Sequence, residues 1–202
     1  MNYLAHIYLA KHSAEAQFGA LLGDFLRPGQ DQHLPLETRI EIQLHRRIDS
    51  FTDQHPLNFR ARALFGEGRR RYAGIVLDVF YDHVLAKHWE HICTLDFDDF
   101  VEQFYVALMK QAPHFPDSLS YAAPRMREQD WIRSYRDLQG FELTIQRMSR
   151  RLSRNADLLL AGIDDVRQHY HTLTQYFFEF FPELESFARE ERVRIQSQFS
   201  AS

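Results

Sequence analysis

The amino-acid sequence predicts a single all-α domain, and three observations support that prediction. No stretch of the 202 residues alternates apolar and polar side chains with period two, so no half-buried strand is indicated. Capping residues and prolines divide the chain into segments of helical length. The stretch 74–89, GIVLDVFYDHVLAKHW, is apolar around nearly its whole circumference, which is typical of a helix buried at the centre of a bundle.

The composition is that of an ordinary globular protein, with 45% hydrophobic and 26% charged residues. A net charge of −4 indicates no general affinity for nucleic acid. Cys93 is the single cysteine, which excludes an internal disulfide and fits a reducing compartment. We see no membrane span and no signal peptide, so we expect a cytoplasmic protein. We expect one helical domain over residues 1–195 and a polar tail over residues 196–202.

In the first half of the chain, Ser13 is positioned to cap a helix that runs through Phe25 and ends near Arg27-Pro28-Gly29. Residues 37–53 form the next predicted helix, which His55-Pro56 ends because the residue before proline avoids the helical region. A short helix then reaches about Phe65 and precedes the buried stretch.

In the second half, Asp96 is predicted to cap a helix to about Gln111, and Pro124 to open a helix to about Tyr135. Residues 138–153 form an amphipathic helix. Asp164 begins a further helix that is expected to stop before Pro182, and the last helix is expected over 183–194. The basic side of the amphipathic segment consists of Arg147, Arg150, Arg151 and Arg154.

Two acids lie within the buried stretch. Asp78 and Asp82 are four residues apart and therefore share one face of a helix. Buried carboxylates are unstable unless they are paired, protonated or bound to a metal. No lysine or arginine lies between Arg71 and Lys87, so either another segment brings cations to these acids or a metal does.

Histidines and aspartates that stand among apolar neighbours are concentrated in the first 90 residues. Such a mixed set suits Mn²⁺, Fe²⁺, Zn²⁺ or Mg²⁺, and the absence of cysteine from it disfavours a structural zinc site. Helical bundles build metal sites of this kind from side chains on separate helices. The candidates are His6, Asp24, His45, Asp49, Asp53, Asp78, Asp82 and His83.

Each candidate also has a structural interpretation. His6 is interpretable as a hydrogen-bonded core histidine, and His45 with Asp49 as a pair on a solvated face. Asp53 is a candidate cap for the following turn. Asp78 and Asp82 are candidates for salt bridges with Arg46 or Arg27. The occurrence of such residues on four segments nevertheless favours a functional site.

Four motifs carry a resemblance to a known family. They are MNYLAH at residues 1–6, GALLGDF at 19–25, HRRIDSFTD at 45–53 and LDVFYDH at 77–83, followed by Trp89. In this order they resemble the acyl carrier protein phosphodiesterase family over nearly the whole chain. That family is all-helical and distantly similar to the HD-domain metal-dependent phosphohydrolases, although the sequence has no adjacent His-Asp doublet.

The resemblance implies hydrolysis of the phosphodiester that links 4′-phosphopantetheine to a serine of holo-acyl carrier protein, a step related to fatty acid biosynthesis. It implies a divalent metal, foremost Mn²⁺, with Mg²⁺, Fe²⁺ or Co²⁺ as alternatives. Asp24 or Asp49 would orient or deprotonate water, and Arg46 or Arg27 would neutralise the phosphate. The implied metal ligands are His6, Asp24, His45, Asp78, Asp82 and His83.

The implied partner is a small acidic protein, so a basic surface is expected near the site. Arg69, Arg70 and Arg71 precede the buried stretch directly and are predicted to bind substrate, in preference to the arginine row of residues 147–154. Neither nucleic acid nor a membrane is expected as a partner. Two alternatives remain: an HD-like phosphohydrolase that acts on a nucleotide or small phosphoester, and a helical binding protein without catalysis.

Overall fold

The computed structural model describes residues 1–200. Within this range there are eleven α-helices, one 3₁₀ turn at Ala112–His114 and no strand, which confirms the all-α prediction. The helices are α1 (Tyr3–Leu9), α2 (Ala14–Leu22), α3 (Leu36–Gln54), α4 (Pro56–Ala63), α5 (Arg70–Lys87), α6 (Trp89–Ile92), α7 (Phe97–Lys110), α8 (Asp117–Glu128), α9 (Trp131–Ser134), α10 (Leu138–Ser149) and α11 (Ala156–Ser200).

Helix α5 lies at the centre, in contact with α1, α4, α10 and α11. Val76, Phe80, Tyr81 and Val84 on this helix are completely buried. The predicted all-round burial is incomplete, because Ile75 is 40% exposed. The side chain of Asp78 is also partly exposed, so this strip of α5 reaches the protein surface.

Helices α2 and α3 pack unusually closely because α2 presents small residues to α3. A Cβ atom added to Gly19 would lie 2.4 Å from the carbonyl oxygen of Thr38. Any larger residue would therefore separate the two helices. Gly23 follows one turn later and has the same role at the functional site, as described below.

Two predicted N-caps are confirmed. Ser13 Oγ accepts a hydrogen bond from the Ala16 amide at 3.0 Å, and Asp96 Oδ1 accepts one from the Asp99 amide at 2.9 Å. His55 also caps α4, since its Nδ1 accepts from the Leu57 amide. These local signals place the helix starts correctly because each needs only residues close in sequence.

The boundary predicted at His55-Pro56 is confirmed, since α3 ends at Gln54 and α4 begins at Pro56, but two other proline-based boundaries were wrong. Pro124 lies inside α8 rather than at its start, and Pro182 lies inside α11. An interior proline costs about 3 kcal/mol, which burial of an uninterrupted apolar stripe offsets. On α11 that stripe runs across the proline through Phe177, Phe180, Phe181, Leu184 and Ala188.

The ends of α11 also differ from the prediction. The helix begins at Ala156 rather than Asp164, with one irregular turn at His169, where φ is −109° and ψ is 17°. It continues to Ser200, so residues 196–200 of the expected tail are helical. The remainder of that expected tail, residues 201–202, lies outside the described residues. In residues 1–200 no helix has both the length and the apolar character that crossing a membrane requires.

Candidate metal centre

Two buried imidazoles from different helices form the floor of the candidate site. His6 on α1 and His45 on α3 stack with ring centroids 3.7 Å apart and an angle of 16° between their planes. They are 1% and 3% exposed. The contact requires α1 and α3 to meet at this point, and the sequence shows no feature that would pair these two residues.

Helix α2 and the turn after it fix the orientation of His45. Its Nδ1–H donates a hydrogen bond to the Ala20 carbonyl at 2.7 Å. A Cβ atom on Gly23 would lie 2.2 Å from His45 Cγ, so only glycine leaves room for the ring. The remaining nitrogen, Nε2, therefore faces the carboxylates. Metal-binding histidines are commonly oriented in this way, with the second nitrogen donating to a carbonyl.

The carboxylate of Asp49 joins the two rings. His6 Nε2 lies 3.2 Å from Asp49 Oδ1, and His45 Nε2 lies 3.2 Å from Asp49 Oδ2. Asp24 Oδ1 lies 3.5 Å from His45 Nε2 on the other side. The side chains of Asp24 and Asp49 are 42% and 40% exposed, so a buried imidazole floor opens to solvent through an acidic rim.

The two histidines differ in protonation. Burial and the neighbouring His45 lower the pKa of His6 to about 4, so it is neutral near pH 7. Burial also opposes protonation of His45, but hydrogen bonds to Asp24 and Asp49 outweigh it and raise its pKa to about 9. Burial opposes ionisation of Asp49 as well, yet hydrogen bonds from His45 and His6 hold its pKa well below its usual range.

Asp78 and Asp82 do share a face of α5, and both side chains reach the start of α1. Asp82 accepts hydrogen bonds from the Leu4 and Ala5 amides at 2.7 and 3.0 Å and thereby caps α1. Asp78 Oδ1 lies 2.9 Å from the Met1 amino group, which is also 3.5 Å from Asp49. These contacts replace the salt bridges to Arg46 or Arg27 that the sequence left open. Asp78 thus borders the cluster, while Asp82 is occupied by the helix terminus.

His83 is held on both sides by other groups. Its Nδ1–H donates to the Tyr135 carbonyl at 2.8 Å, and its Nε2 accepts from the Tyr170 hydroxyl at 2.9 Å. Burial lowers its pKa to about 4. The structure therefore gives His83 a complete set of hydrogen bonds and does not bring its ring nitrogens to His6, His45 and Asp49.

The arginines that were predicted to lie near the site contact other parts of the protein or are exposed to solvent. Arg46 donates to the Leu26 carbonyl at 3.0 Å, which ties α3 to the turn that carries Asp24. Arg27 is exposed three residues beyond Asp24. Arg69 forms a two-pronged ion pair with Asp165, at 2.6 and 2.7 Å, and so links the start of α5 to α11.

The structure also shows the contacts of Arg70, Arg71 and Asp53. Arg70 Nε donates to the Phe65 carbonyl, and the Arg71 guanidinium lies over the Tyr72 ring. Asp53 is paired with Arg62 rather than capping α4. None of these contacts involves the two stacked imidazoles.

The donor set of the cluster fits a divalent metal. Ligand atoms of His6, His45 and Asp49 all lie within 4.8 Å of one another, close to the separations that metal–ligand bonds of about 2 Å produce. His6 Nδ1 is in addition buried without a hydrogen-bond partner among residues 1–200. Two imidazoles and half-exposed carboxylates are donors that first-row divalent ions accept.

The sequence profile of the family described as "Acyl carrier protein phosphodiesterase" matches residues 1–184, which include every residue of the cluster. The chain belongs to the acyl carrier protein phosphodiesterase family. No solved structure matches the chain.

Relatives that carry the family's name align over nearly the whole chain. The acyl carrier protein phosphodiesterase of Yersinia pestis is 32% identical over 196 residues, covering 96% of this chain and 100% of the relative. The proteins of the same name from Salmonella paratyphi A and Escherichia coli O139:H28 are each 34% identical, covering 91% of this chain and 95% of each relative.

Sequence reasoning missed two features around the cluster. The first is the role of Gly23, whose signal was its spacing of four residues from Gly19 on one helix face. The second is the position of Tyr3, which stacks on Phe25 and Trp131. The Trp131 contact joins segments 128 residues apart, and no local pattern indicates it.

Proposed function

We propose that this chain hydrolyses the phosphodiester between 4′-phosphopantetheine and a serine of acyl carrier protein, at a divalent metal centre built around His6, His45 and Asp49. The family assignment supplies the reaction and its protein substrate. The observation that carries the location is the convergence of two imidazoles and a carboxylate within 4.8 Å.

His6, His45 and Asp49 would hold the ion, with Asp24 and Asp78 at its margin. Mn²⁺ is the first choice, and Mg²⁺, Fe²⁺ and Co²⁺ fit the same donors. The ion would supply Lewis-acid polarisation of a phosphoryl oxygen and lower the pKa of water. Because both ring nitrogens of His45 are protonated in the free protein, the proton on Nε2 must leave when the ion binds.

Asp24 is the carboxylate that we assign to the attacking water. It contacts one imidazole, whereas both oxygens of Asp49 face imidazoles. Burial opposes ionisation of Asp24, but the hydrogen bond from His45 prevails and lowers its pKa, so it is an anion near neutral pH. As an exposed anion it accepts a hydrogen bond from water and directs the oxygen lone pair towards phosphorus.

Two arginines have supporting roles. Arg46 positions Asp24, because its guanidinium is bound to the Leu26 carbonyl of the Asp24 turn. Arg27 is exposed beside that turn and is our candidate to neutralise the phosphate of the substrate. Asp82 and His83 support the site indirectly, through α1 and through Tyr135.

Intact-protein mass spectrometry of holo-acyl carrier protein, incubated with the purified chain and Mn²⁺, tests the proposal. We expect conversion to the apo mass, abolished by EDTA and reduced at least about a hundredfold, or ~2.7 kcal/mol, in Asp24→Asn. An unchanged carrier mass, together with hydrolysis of a nucleotide phosphoester by the same preparation, would instead establish the HD-like phosphohydrolase alternative. No hydrolysis of either substrate would favour a binding protein.

A further inference from the structure

A row of aromatic rings leads away from the metal centre. Tyr3 stacks on Phe25, with centroids 6.3 Å apart and planes at 15°, and on Trp131, at 6.5 Å and 21°. Phe25 directly follows Asp24, and Tyr3 lies one helical turn before His6. The row therefore begins beside the cluster and ends at α9.

Two rings of the row, Tyr3 and Trp131, border a small surface groove of about 30 Å³ whose other side is α10 and the turn after it. The groove is lined by Tyr3, Trp131, Tyr135, Thr144, Arg147, Met148 and Arg151. The Arg147 guanidinium lies 5.6 Å from the centroid of the Trp131 ring. Rings and a thioether with polar groups among them suit an extended chain that alternates methylene and amide groups.

The arginines beside this groove are not neutralised by the protein. Across residues 1–200, Arg147, Arg150, Arg151 and Arg154 form no ion pair with a carboxylate, whereas Arg69 is paired with Asp165. Arg150, Arg151 and Arg154 are exposed. The result is a free positive surface on a chain whose net charge is −4.

Part of the arginine row lies beside these rings. Arg147 and Arg151 line the groove together with Tyr3 and Trp131. Burial and the negative charge of Asp24 raise the pKa of Tyr3 to about 12, and the positive charge of Arg151 opposes that rise. Arg147 and Arg151, which are distant from the motifs in sequence, are therefore close in space to the aromatic row that begins beside Asp24.

Resting on the function proposed above, we propose that an acidic carrier protein docks on Arg147, Arg150, Arg151 and Arg154 with its modified serine at the metal centre. Its 4′-phosphopantetheine arm then runs outwards from the phosphate, over Tyr3 and Trp131. Charge complementarity selects this occupant, because four unpaired cations attract an acidic surface. The ring row gives the arm a path that begins beside Asp24 and leads through Tyr3 to Trp131. Arg69, in contrast, is already occupied by Asp165.

The test measures binding and turnover in the Arg150→Glu, Arg154→Glu double variant. Fluorescence titration with apo- and holo-carrier protein should show at least about tenfold weaker binding of both forms, with a flatter salt dependence, since exposed charges are screened over about 8 Å. Turnover of bis(p-nitrophenyl) phosphate should stay within about twofold of wild type, because the metal centre is unchanged. Arg60→Glu with Arg125→Glu is the matched control, as both arginines are exposed and are bound only to a ring or a carbonyl.

Substitutions at Trp131 test the proposed path of the 4′-phosphopantetheine arm separately from the docking surface. Trp131→Leu should weaken binding of the holo form and leave binding of the apo form, which lacks the arm, unchanged, while Trp131→Phe should retain holo binding. If Arg70→Glu with Arg71→Glu weakens carrier binding and the Arg150, Arg154 variant does not, docking occurs at the start of α5 and the proposal is wrong. If the variants change carrier binding as expected but the wild-type protein does not hydrolyse the 4′-phosphopantetheine arm from the carrier, the proposed function is wrong and the proposed docking surface is still supported.

Discussion

His6 and His45 stack face to face, with ring centroids 3.7 Å apart, and His45 is positively charged at neutral pH whereas His6 is not. The arrangement is stable because Asp49 faces both rings and Asp24 faces His45. In the proposed metal centre, a divalent ion would therefore have to displace a proton from His45.

Asp49 and Asp53 lie one turn apart on α3 and provide a matched pair of substitutions. Asp49→Asn should weaken Mn²⁺ binding at least about tenfold, or ~1.4 kcal/mol, because it removes the carboxylate that faces both imidazoles. Asp53→Asn should not change Mn²⁺ affinity, since Asp53 is paired with Arg62. Isothermal titration calorimetry measures both affinities. Equal losses in the two variants would place the metal elsewhere.

Gly23 and Gly74 provide a matched pair for the packing around His45. Gly23→Ala should lower the free energy of unfolding by about 1–3 kcal/mol and weaken Mn²⁺ binding, because the new methyl group would overlap the His45 ring. Gly74→Ala should be neutral or stabilising by up to about 1 kcal/mol, since its nearest neighbour would be 3.5 Å away. Urea denaturation measures both. A Gly23→Ala protein with wild-type Mn²⁺ affinity would show that metal binding does not depend on the position of the His45 ring.

His83 should make stability depend on pH without affecting the metal. Its pKa is lowered by burial from 6.5 to about 4 in the folded protein. Its contribution to the free energy of unfolding is therefore fully present above pH 6.5 and is lost as pH falls towards 4, by up to about 3 kcal/mol. The stability difference between wild type and His83→Gln should shrink over that interval, as measured by urea denaturation at several pH values.

Metal affinity gives the control for His83. His83→Gln should bind Mn²⁺ as wild type does, since the ring nitrogens of His83 are bound to Tyr135 and Tyr170. A large loss of Mn²⁺ affinity would restore His83 to the ligand set that the sequence suggested.

Much of the fold follows from local sequence signals, whereas the boundaries set by tertiary packing do not. The caps at Ser13 and Asp96 depend on a few neighbouring residues and were predicted correctly. The interruptions expected at Pro124 and Pro182 were wrong, because burial of an apolar stripe outweighs the loss of one helical hydrogen bond.

The candidate site likewise combines features that follow from local sequence with contacts that only tertiary packing creates. The sequence placed Asp78 and Asp82 on one face, and both do point towards the start of α1. It could not show that backbone amides, rather than a metal, would satisfy Asp82, because those amides lie 78 and 77 residues earlier in the chain. The proximity of Tyr3 to Trp131 was hidden for the same reason.

Every step of the proposed function depends on attack of water on phosphorus, with the serine oxygen of the carrier protein as the leaving group. Turnover of holo-carrier protein in water enriched in the heavy oxygen isotope, followed by mass spectrometry of both products, tests this step. We expect one heavy oxygen in the phosphate of the released 4′-phosphopantetheine and none in the apo-carrier protein, because the bond between phosphorus and the serine oxygen is the one that breaks. Heavy oxygen in the carrier's serine, or release of the arm without any label, would contradict it.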